Sequence, residues 1–219
     1  MKWTRVALVG CVAALAWAAW PKRPVISDTH GPTRALIIGS TLARFDDAIV
    51  ILGDSIVEAS TLPRTMCDHA IVNAGIGGTS TSSGLGAMLR ASLGGKRAAL
   101  VVVALGTNDA AKPRSVEQYR SNYLALLTEL KALTPQIAIA AIPPPEAGLE
   151  EAKKVSGTAI DSYNAVLPAL AKEAGAAFIA LPAMPERHTI DGIHLNAAGY
   201  EVWDKVILGG IETALCKST

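Results

Sequence analysis

The run "ALVVVALG" at residues 99–106 is the segment that decides the fold. Its apolar residues are continuous and do not alternate with polar ones, which is typical of a strand buried on both faces of a parallel sheet. Similar runs follow the same pattern at "AIVILG" (48–53), "AIVNAG" (70–75), "IAIAAI" (137–142) and "AAFIAL" (176–181). The sequence therefore predicts a sheet of five parallel strands.

Segments with a helical spacing of apolar residues lie between these strands. The clearest is 115–133, where Ser115 is the expected N-cap and Glu117 lies in the first turn. Further helices are predicted at 158–173 and 197–215, with weaker patterns at 82–93 and 35–45. Strands that alternate with helices predict right-handed βαβ units, and hence an α/β fold with helices on both faces of the sheet.

Composition limits the possible functions. The chain has 219 residues, half of them hydrophobic, so one domain with a substantial core is expected. A formal net charge of +1 leaves no electrostatic basis for binding nucleic acid. Neither a G-x-G-x-x-G dinucleotide loop nor a G-x-x-x-x-G-K-[ST] phosphate loop occurs, so no nucleotide cofactor is predicted.

The first twenty residues differ from the rest of the chain. A short basic start is followed by an apolar run from Val6 to Trp20, which is short for a membrane span and suits a secretory signal. We predict a signal peptide or an N-terminal membrane anchor at 1–20, with membrane attachment possible through 6–20. A linker or pre-domain segment at 21–45 and the folded domain at 46–219 would follow. The protein is expected to be exported, to the periplasm or the extracellular space, or held at the membrane.

The three cysteines agree with export but do not require it. Cys11 lies in the apolar run, which leaves Cys67 and Cys216. Two remaining cysteines often pair in an oxidising compartment, although two free buried thiols are an equal alternative.

Ser55 follows the first predicted strand directly, in "GDSI" at 53–56. In parallel α/β folds, binding and catalytic groups gather at the carboxyl ends of the strands. A helix that begins at this serine would direct free N–H groups toward a developing negative charge. Ser55 is therefore a candidate nucleophile, and the alternative is a simple helix N-cap.

Two more strand ends carry polar or flexible groups. "NAGIGG" (73–78) ends on Gly78, where the absence of a Cβ would let a backbone N–H face a bound oxygen. "GTND" (106–109) supplies Asn108, whose side-chain amide is a neutral hydrogen-bond donor. A flexible polar loop and an ordinary turn residue are the respective alternatives.

The stretch "HTIDGIH" (188–194) places an acid and an imidazole three positions apart, as Asp191 and His194. His188, Asp191 and His194 would be the ligands of a possible metal site, but no further ligand-rich cluster supports one, and His188 is expected on the surface or at the rim. Of the other histidines, His30 falls in the predicted linker and His69 at the opposite end of the sheet.

With these motifs in place, the chain resembles the SGNH (GDSL-type) hydrolase superfamily over about residues 47–210. The resemblance implies a flavodoxin-like three-layer α/β/α sandwich with a five-stranded parallel sheet. By motif, Ser55 would be the nucleophile, Asp191 and His194 would complete the triad, and Gly78, Asn108 and the Ser55 N–H would form the oxyanion hole. Two departures are Ile56 in place of the family's leucine and Thr79 where many members have Asp. Because Gly77 adjoins Gly78, the donor could differ by one position.

The resemblance implies a serine esterase that needs no cofactor or metal. Its substrate would be a small acyl ester such as an acetyl group on an envelope glycan or lipid. The alternatives are an acyltransferase acting on a sugar hydroxyl, a lysophospholipase or thioesterase, and a non-catalytic binding module. The oligomeric state is left open. In the resembled fold Cys67 and Cys216 would both lie opposite the catalytic edge, where a disulfide could hold the C-terminus.

Overall fold

The computed structural model describes residues 29–216. The predicted signal peptide or anchor at 1–20 lies outside these residues, and so do residues 21–28 of the predicted linker. None of the helices within 29–216 combines the length and the apolar character needed to cross a membrane.

One six-stranded sheet forms the centre of the structure. Its strands are β1 (Ile49–Gly53), β2 (Thr65–Met66), β3 (His69–Gly75), β4 (Leu100–Ala104), β5 (Ile137–Ala140) and β6 (Ala177–Ile179), in the order β2-β3-β1-β4-β5-β6. All five predicted strands are present and pair in parallel. The sixth, β2, is a two-residue antiparallel addition to β3 at the edge of the sheet, too short to leave a pattern in the sequence.

The central strands are buried on both faces, which explains their continuous apolar runs. In β4, Val101 and Val103 pack into the core on one side of the sheet, and Leu100 and Val102 pack into the core on the other. Since successive side chains of a strand point to opposite faces, a strand covered by helices on both sides has no position for a polar residue.

Within residues 29–216, seven α-helices cover the sheet. They are α1 (His30–Leu42), α2 (Ser55–Ala59), α3 (Leu85–Leu93), α4 (Thr107–Ala111), α5 (Val116–Lys131), α6 (Gly157–Ala174) and α7 (Ala197–Ala214). The core on one face draws on α1, α3, α5 and α6, and the core on the other draws on α2 and α7. The three-layer α/β/α sandwich is thereby confirmed. So is the start of α5, where Ser115 caps the helix by accepting from the Gln118 N–H.

The prediction of a linker at 21–45 is wrong for residues 30–42. These form α1, which packs on β3 and α3 and buries Ile38 and Leu42 in the core. The short apolar stretch of α1 was ambiguous because Leu36 and Ile37, next to the buried positions, are exposed and blur the helical periodicity.

The strand order places the ligand-binding edge of the sheet. Numbered alone, the five parallel strands have the order 2-1-3-4-5, the flavodoxin-like arrangement, whose crevice opens where the connections reverse direction. Here that point lies between the carboxyl ends of β1 and β4. Ser55 follows β1 and Asn108 follows β4, so both lie at this crevice.

A disulfide bond joins Cys67 to Cys216, with 5.6 Å between the two Cα atoms. Cys67 and Asp68 form the two-residue turn between β2 and β3, and both have positive φ angles, as a tight hairpin requires. Cys216 follows the end of α7. The bond therefore ties the last helix to the edge hairpin, and of the two alternatives for these cysteines the structure shows the pair.

We expect the double variant Cys67→Ser/Cys216→Ser to lower the free energy of unfolding by about 2–5 kcal/mol, because the bond closes a loop of 149 residues in the unfolded chain. For a domain of this size that corresponds to a melting temperature lower by on the order of 10 °C. Thermal unfolding followed by circular dichroism measures the difference, and wild type treated with a reductant is the control that should match the variant. Identical melting of reduced and oxidised wild type would contradict a stabilising disulfide.

Candidate functional site

Ser55 is the first residue of α2 and stands at the carboxyl end of β1. The cap of this helix is Asp54, whose Oδ1 accepts a hydrogen bond from the Ile56 N–H at 3.0 Å, so capping is not the task of Ser55. Gly53 is needed here because of crowding. A Cβ at this position would lie 2.2 Å from a Val57 methyl and 2.5 Å from the Ala104 carbonyl oxygen.

The same crowding explains Gly75 at the end of β3. A Cβ there would lie 2.2 Å from the Glu58 backbone nitrogen. Asn73, two residues earlier, donates from its amide to the Val57 carbonyl at 2.6 Å. Together these contacts press α2 against the ends of β1 and β3, which sets the position of the Ser55 side chain.

His194 and Asp191 reach this edge from the loop before α7. The Nε2 atom of His194 lies 3.0 Å from Ser55 Oγ, and its Nδ1 atom lies 2.7 Å from Asp191 Oδ2. The other oxygen of Asp191 accepts the backbone N–H groups of Ile193 and His194. Partial burial alone would raise the pKa of Asp191, but the hydrogen bonds from His194 and Ile193 together hold it below its ordinary value. A carboxylate, an imidazole and a hydroxyl thus form one continuous hydrogen-bonded chain.

The loop that carries Asp191 and His194 is held by the long segment after β5. Glu146 Oε2 accepts hydrogen bonds from the Thr189 hydroxyl, the Thr189 N–H and the His188 N–H, at 2.8 to 3.0 Å. These bonds, chiefly those from Thr189, lower the pKa of Glu146. The Glu146 N–H in turn donates to the Gly192 carbonyl. A charged side chain thereby fixes the start of the loop that presents the imidazole.

His188 is not the surface or rim residue that the sequence suggested. It is only 6% exposed, and its ring nitrogens lie 2.8 Å from the Pro185 carbonyl oxygen and 3.0 Å from that of Pro144. Both ring nitrogens are thus within hydrogen-bonding distance of backbone carbonyl oxygens from two loops. Within residues 29–216 no three His, Cys, Asp or Glu side chains come together as a metal site would require, and the set of His188, Asp191 and His194 does not converge on one point.

Asn108 and Asp109 in α4 both hold the loop that follows Gly78. The Asn108 amide donates to the Thr79 carbonyl at 2.9 Å, and the buried Asp109 carboxylate accepts the N–H and the hydroxyl of Thr81. An amide has two N–H donors, so one Asn108 donor remains after the bond to Thr79. The "GTND" segment is therefore hydrogen-bonded to the loop that directly follows "NAGIGG".

Gly77 and Gly78 differ in whether their N–H groups are already engaged. The Gly77 N–H donates to Glu58 Oε2 at 2.7 Å and is therefore occupied. Gly78 has a φ of +79° and open space where a Cβ would stand. Among the hydrogen bonds of the described residues none uses the Gly78 N–H, so it is the donor available to a bound oxygen.

Asp54 places a second carboxylate beneath the site. Its side chain is 2% exposed, and burial raises its pKa from 3.8 to about 6, although the bond from Ile56 and the nearby His194 oppose the shift.

The sequence did not single out Glu58, Glu146 or Tyr200 as site residues. Tyr200 donates its hydroxyl to the Ile56 carbonyl at 2.8 Å. Glu58 lies three residues after Ser55 on the same short helix, a spacing that could have drawn attention to it. Glu146 lacks any such local cue because its partners are more than 40 residues away.

The site is open to solvent. The side chain of His194 is 41% exposed and that of Asp191 33% exposed. Ile190, directly before Asp191, is 73% exposed and provides an apolar element at the rim.

Known proteins share both the sequence pattern and the fold. The GDSL-like Lipase/Acylhydrolase family model matches residues 51–202, which is well over half of the chain. No curated protein matches the chain.

Several solved structures are similar throughout the domain. A Streptococcus pneumoniae protein, provisionally named a platelet activating factor, is 26% identical with a TM-score of 0.69, covering 82% of this chain and 91% of its own. A lipase/acylhydrolase from Enterococcus faecalis is 22% identical with a TM-score of 0.63, covering 76% and 95%. An acetyl xylan esterase is 16% identical with a TM-score of 0.61, covering 75% and 99%.

The family match spans the strand-end motifs from β1 to the start of α7, which carry the hydroxyl, the imidazole and the carboxylate described above. The chain belongs to the GDSL-like lipase/acylhydrolase family and is a serine hydrolase that acts on ester bonds.

Proposed function

We propose that the protein hydrolyses carboxylic esters of small acyl groups through a covalent intermediate on Ser55. The observation that carries the proposal is the chain of two hydrogen bonds, 3.0 Å from Ser55 Oγ to His194 Nε2 and 2.7 Å from His194 Nδ1 to Asp191 Oδ2. This arrangement supplies a nucleophile, a base and a group that orients the base.

In the proposed mechanism, Ser55 Oγ attacks the acyl carbon while its proton passes to His194 Nε2. Asp191 holds the Nδ1 proton and stabilises the imidazolium that forms. The tetrahedral intermediate collapses as His194 returns the proton to the departing alkoxide oxygen, which leaves an ester on Ser55. Water then attacks this ester as His194 takes its proton, and the bond from Ser55 Oγ to the acyl carbon breaks as His194 returns the proton to Oγ, which releases the acid.

The negative oxygen of the tetrahedral intermediate would be bound by three donors. These are the N–H of Ser55 at the start of α2, the N–H of Gly78 and the remaining amide hydrogen of Asn108. Donors already in place lower the barrier because they need no reorganisation when the charge develops. This choice of donors is supported by the bonds around them. The Gly77 N–H is engaged by Glu58 and one Asn108 amide hydrogen by the Thr79 carbonyl, which holds the neighbouring donors in place.

We infer a small acyl group, such as acetyl, carried on an envelope glycan or lipid. The open position of His194 and Asp191 suits an acyl group presented on a large substrate. The name of the acetyl xylan esterase among the similar structures agrees with this reading. The alternative is transfer of the acyl group to a sugar hydroxyl in place of water.

We also propose that the protein is exported. The Cys67–Cys216 disulfide supports this, because such bonds persist in oxidising compartments. Recovery of the native protein in the cytosol with both thiols reduced would contradict export.

The function is tested with p-nitrophenyl esters of increasing acyl length, on wild type and Ser55→Ala. We expect wild type to have its highest kcat/KM with acetyl and to lose activity as the acyl chain lengthens. Ser55→Ala should show only background turnover, and Ser60→Ala, which removes a hydroxyl at the other end of α2, is the control that should stay active. Equal turnover by wild type and Ser55→Ala would contradict the mechanism, and a preference for long chains would contradict the small acyl group.

Repeating the assay with an acceptor sugar separates hydrolysis from transfer.

The buried carboxylate beneath the site predicts a dependence of stability on pH. The folded pKa of Asp54, about 6, exceeds the ordinary 3.8, so its contribution to stability is fully present below pH 3.8 and is lost as pH rises through 6. We expect wild type to lose about 3 kcal/mol of unfolding free energy relative to Asp54→Asn between pH 3.5 and 7. Denaturant unfolding of both proteins at several pH values measures this loss. A constant difference between the two across that range would show that Asp54 is not held protonated.

A further inference from the structure

A charged cluster lies near Ser55, and its members come from three separate parts of the chain. At its centre is the Glu58 carboxylate, one turn after Ser55 on α2. Its Oε2 atom accepts the Gly77 N–H at 2.7 Å and lies 3.0 Å from His30 Nε2. Its Oε1 atom lies 3.4 Å from Arg34 Nε. Both carboxylate oxygens of Glu58 are thus engaged.

Arg34 links the same carboxylate to the end of β3. Its guanidinium donates to the Gly75 carbonyl through Nε and Nη2, at 3.0 and 2.9 Å, and Nη2 also lies 3.3 Å from Asn73 Oδ1. The fork of the guanidinium is suited to holding several oxygens in one geometry. Helix α1, which carries Arg34 and His30, is thereby coupled to the segment that leads into the two glycines.

Gly77 lies next to the side chain of Ser55. A Cβ on Gly77 would lie 3.7 Å from Ser55 Cβ and 3.3 Å from Glu58 Oε2. Two consecutive glycines have more backbone freedom than other residues, so the peptide between them is not held in place by side-chain sterics. The bond to Glu58 holds the peptide unit before Gly77, and a turn hydrogen bond from the Thr79 N–H to the Ile76 carbonyl closes the segment around the pair.

We propose that Glu58 is a positioning residue for the proposed esterase reaction. By holding the Gly77 N–H it directs the next N–H, that of Gly78, toward the oxygen of the tetrahedral intermediate, and Arg34 holds the Glu58 carboxylate in place. This inference rests on the proposed function. It goes beyond it in assigning α1, a helix outside the catalytic motifs, to the support of the oxyanion site.

The test compares Glu58→Ala with Glu58→Gln, whose side-chain carbonyl can still accept the Gly77 N–H. We expect kcat for p-nitrophenyl acetate to fall by about 10- to 100-fold in Glu58→Ala with KM changed less than about threefold, because a misplaced donor weakens binding of the transition state more than that of the substrate. Glu58→Gln should keep kcat within a few-fold of wild type. Arg34→Met should lower kcat in the same direction, and adding it to Glu58→Ala should cause no further loss.

Two further variants calibrate the result. Asn108→Ala removes a proposed oxyanion donor outright and should lower kcat by on the order of 10² or more. Glu186→Ala removes an exposed carboxylate near the loop before α7 and should leave kcat unchanged. Affinity for a trifluoromethyl ketone, which forms a tetrahedral adduct on the enzyme, should fall in parallel with kcat in Glu58→Ala.

The outcomes separate the inference from the function it rests on. An inactive wild type would contradict the proposed function itself. An active wild type with unchanged kcat in Glu58→Ala would overturn only the role of Glu58, as would an equal loss in Glu58→Gln and Glu58→Ala. If Glu58→Ala fails to fold by circular dichroism, Arg34→Met decides: a fall in kcat of at least about fivefold at constant KM supports the role, and an unchanged kcat overturns it.

Discussion

The hydrogen bond between Ser55 and His194 is the interaction on which the account of this protein depends. It joins residues 139 positions apart, and the parallel sheet brings them together at one edge. The hydroxyl is placed by the close packing of α2 on β1 and β3, which only glycine at positions 53 and 75 permits. The imidazole is placed by the loop before α7, which Glu146 holds through Thr189.

Both halves of the site are supported by charged side chains that do not belong to the hydrogen-bonded chain of Ser55, His194 and Asp191. Glu146 accepts three hydrogen bonds at the base of the loop that carries His194, and Glu58 accepts one from the glycine pair beside Ser55. Bonds from N–H or O–H groups to a carboxylate are stronger than those between neutral groups. One of these carboxylates lies on a short helix and the other on the long segment after β5, and together they support a site that is open to solvent.

Much of the architecture followed from local patterns. The five parallel strands were predictable because strands buried on both faces must be continuously apolar, as residues 100–103 are. The positions of Ser55 and Asn108 followed, since parallel strands bring their carboxyl ends to one edge. What the patterns could not show were contacts that depend on tertiary approach. His188 and His194 have the same side chain and lie in the same loop, yet His188 is buried against two carbonyl oxygens and His194 faces the Ser55 hydroxyl. The contact of His30 with Glu58 could not be predicted, because the helix that carries His30 has an ambiguous pattern. The need for glycine at position 53 is likewise tertiary, since a Cβ there would collide with Val57 and Ala104.

The most direct test of the central claim is whether Ser55 is made reactive by His194. Wild type and His194→Ala are treated with a fluorophosphonate, which phosphonylates activated serines, and the modified peptide is identified by mass spectrometry over time. The account predicts a single phosphonyl group on Ser55 in wild type and a rate lower by at least about 10³ in His194→Ala. An unmodified wild type, modification at another serine, or equal rates in the two proteins would contradict it.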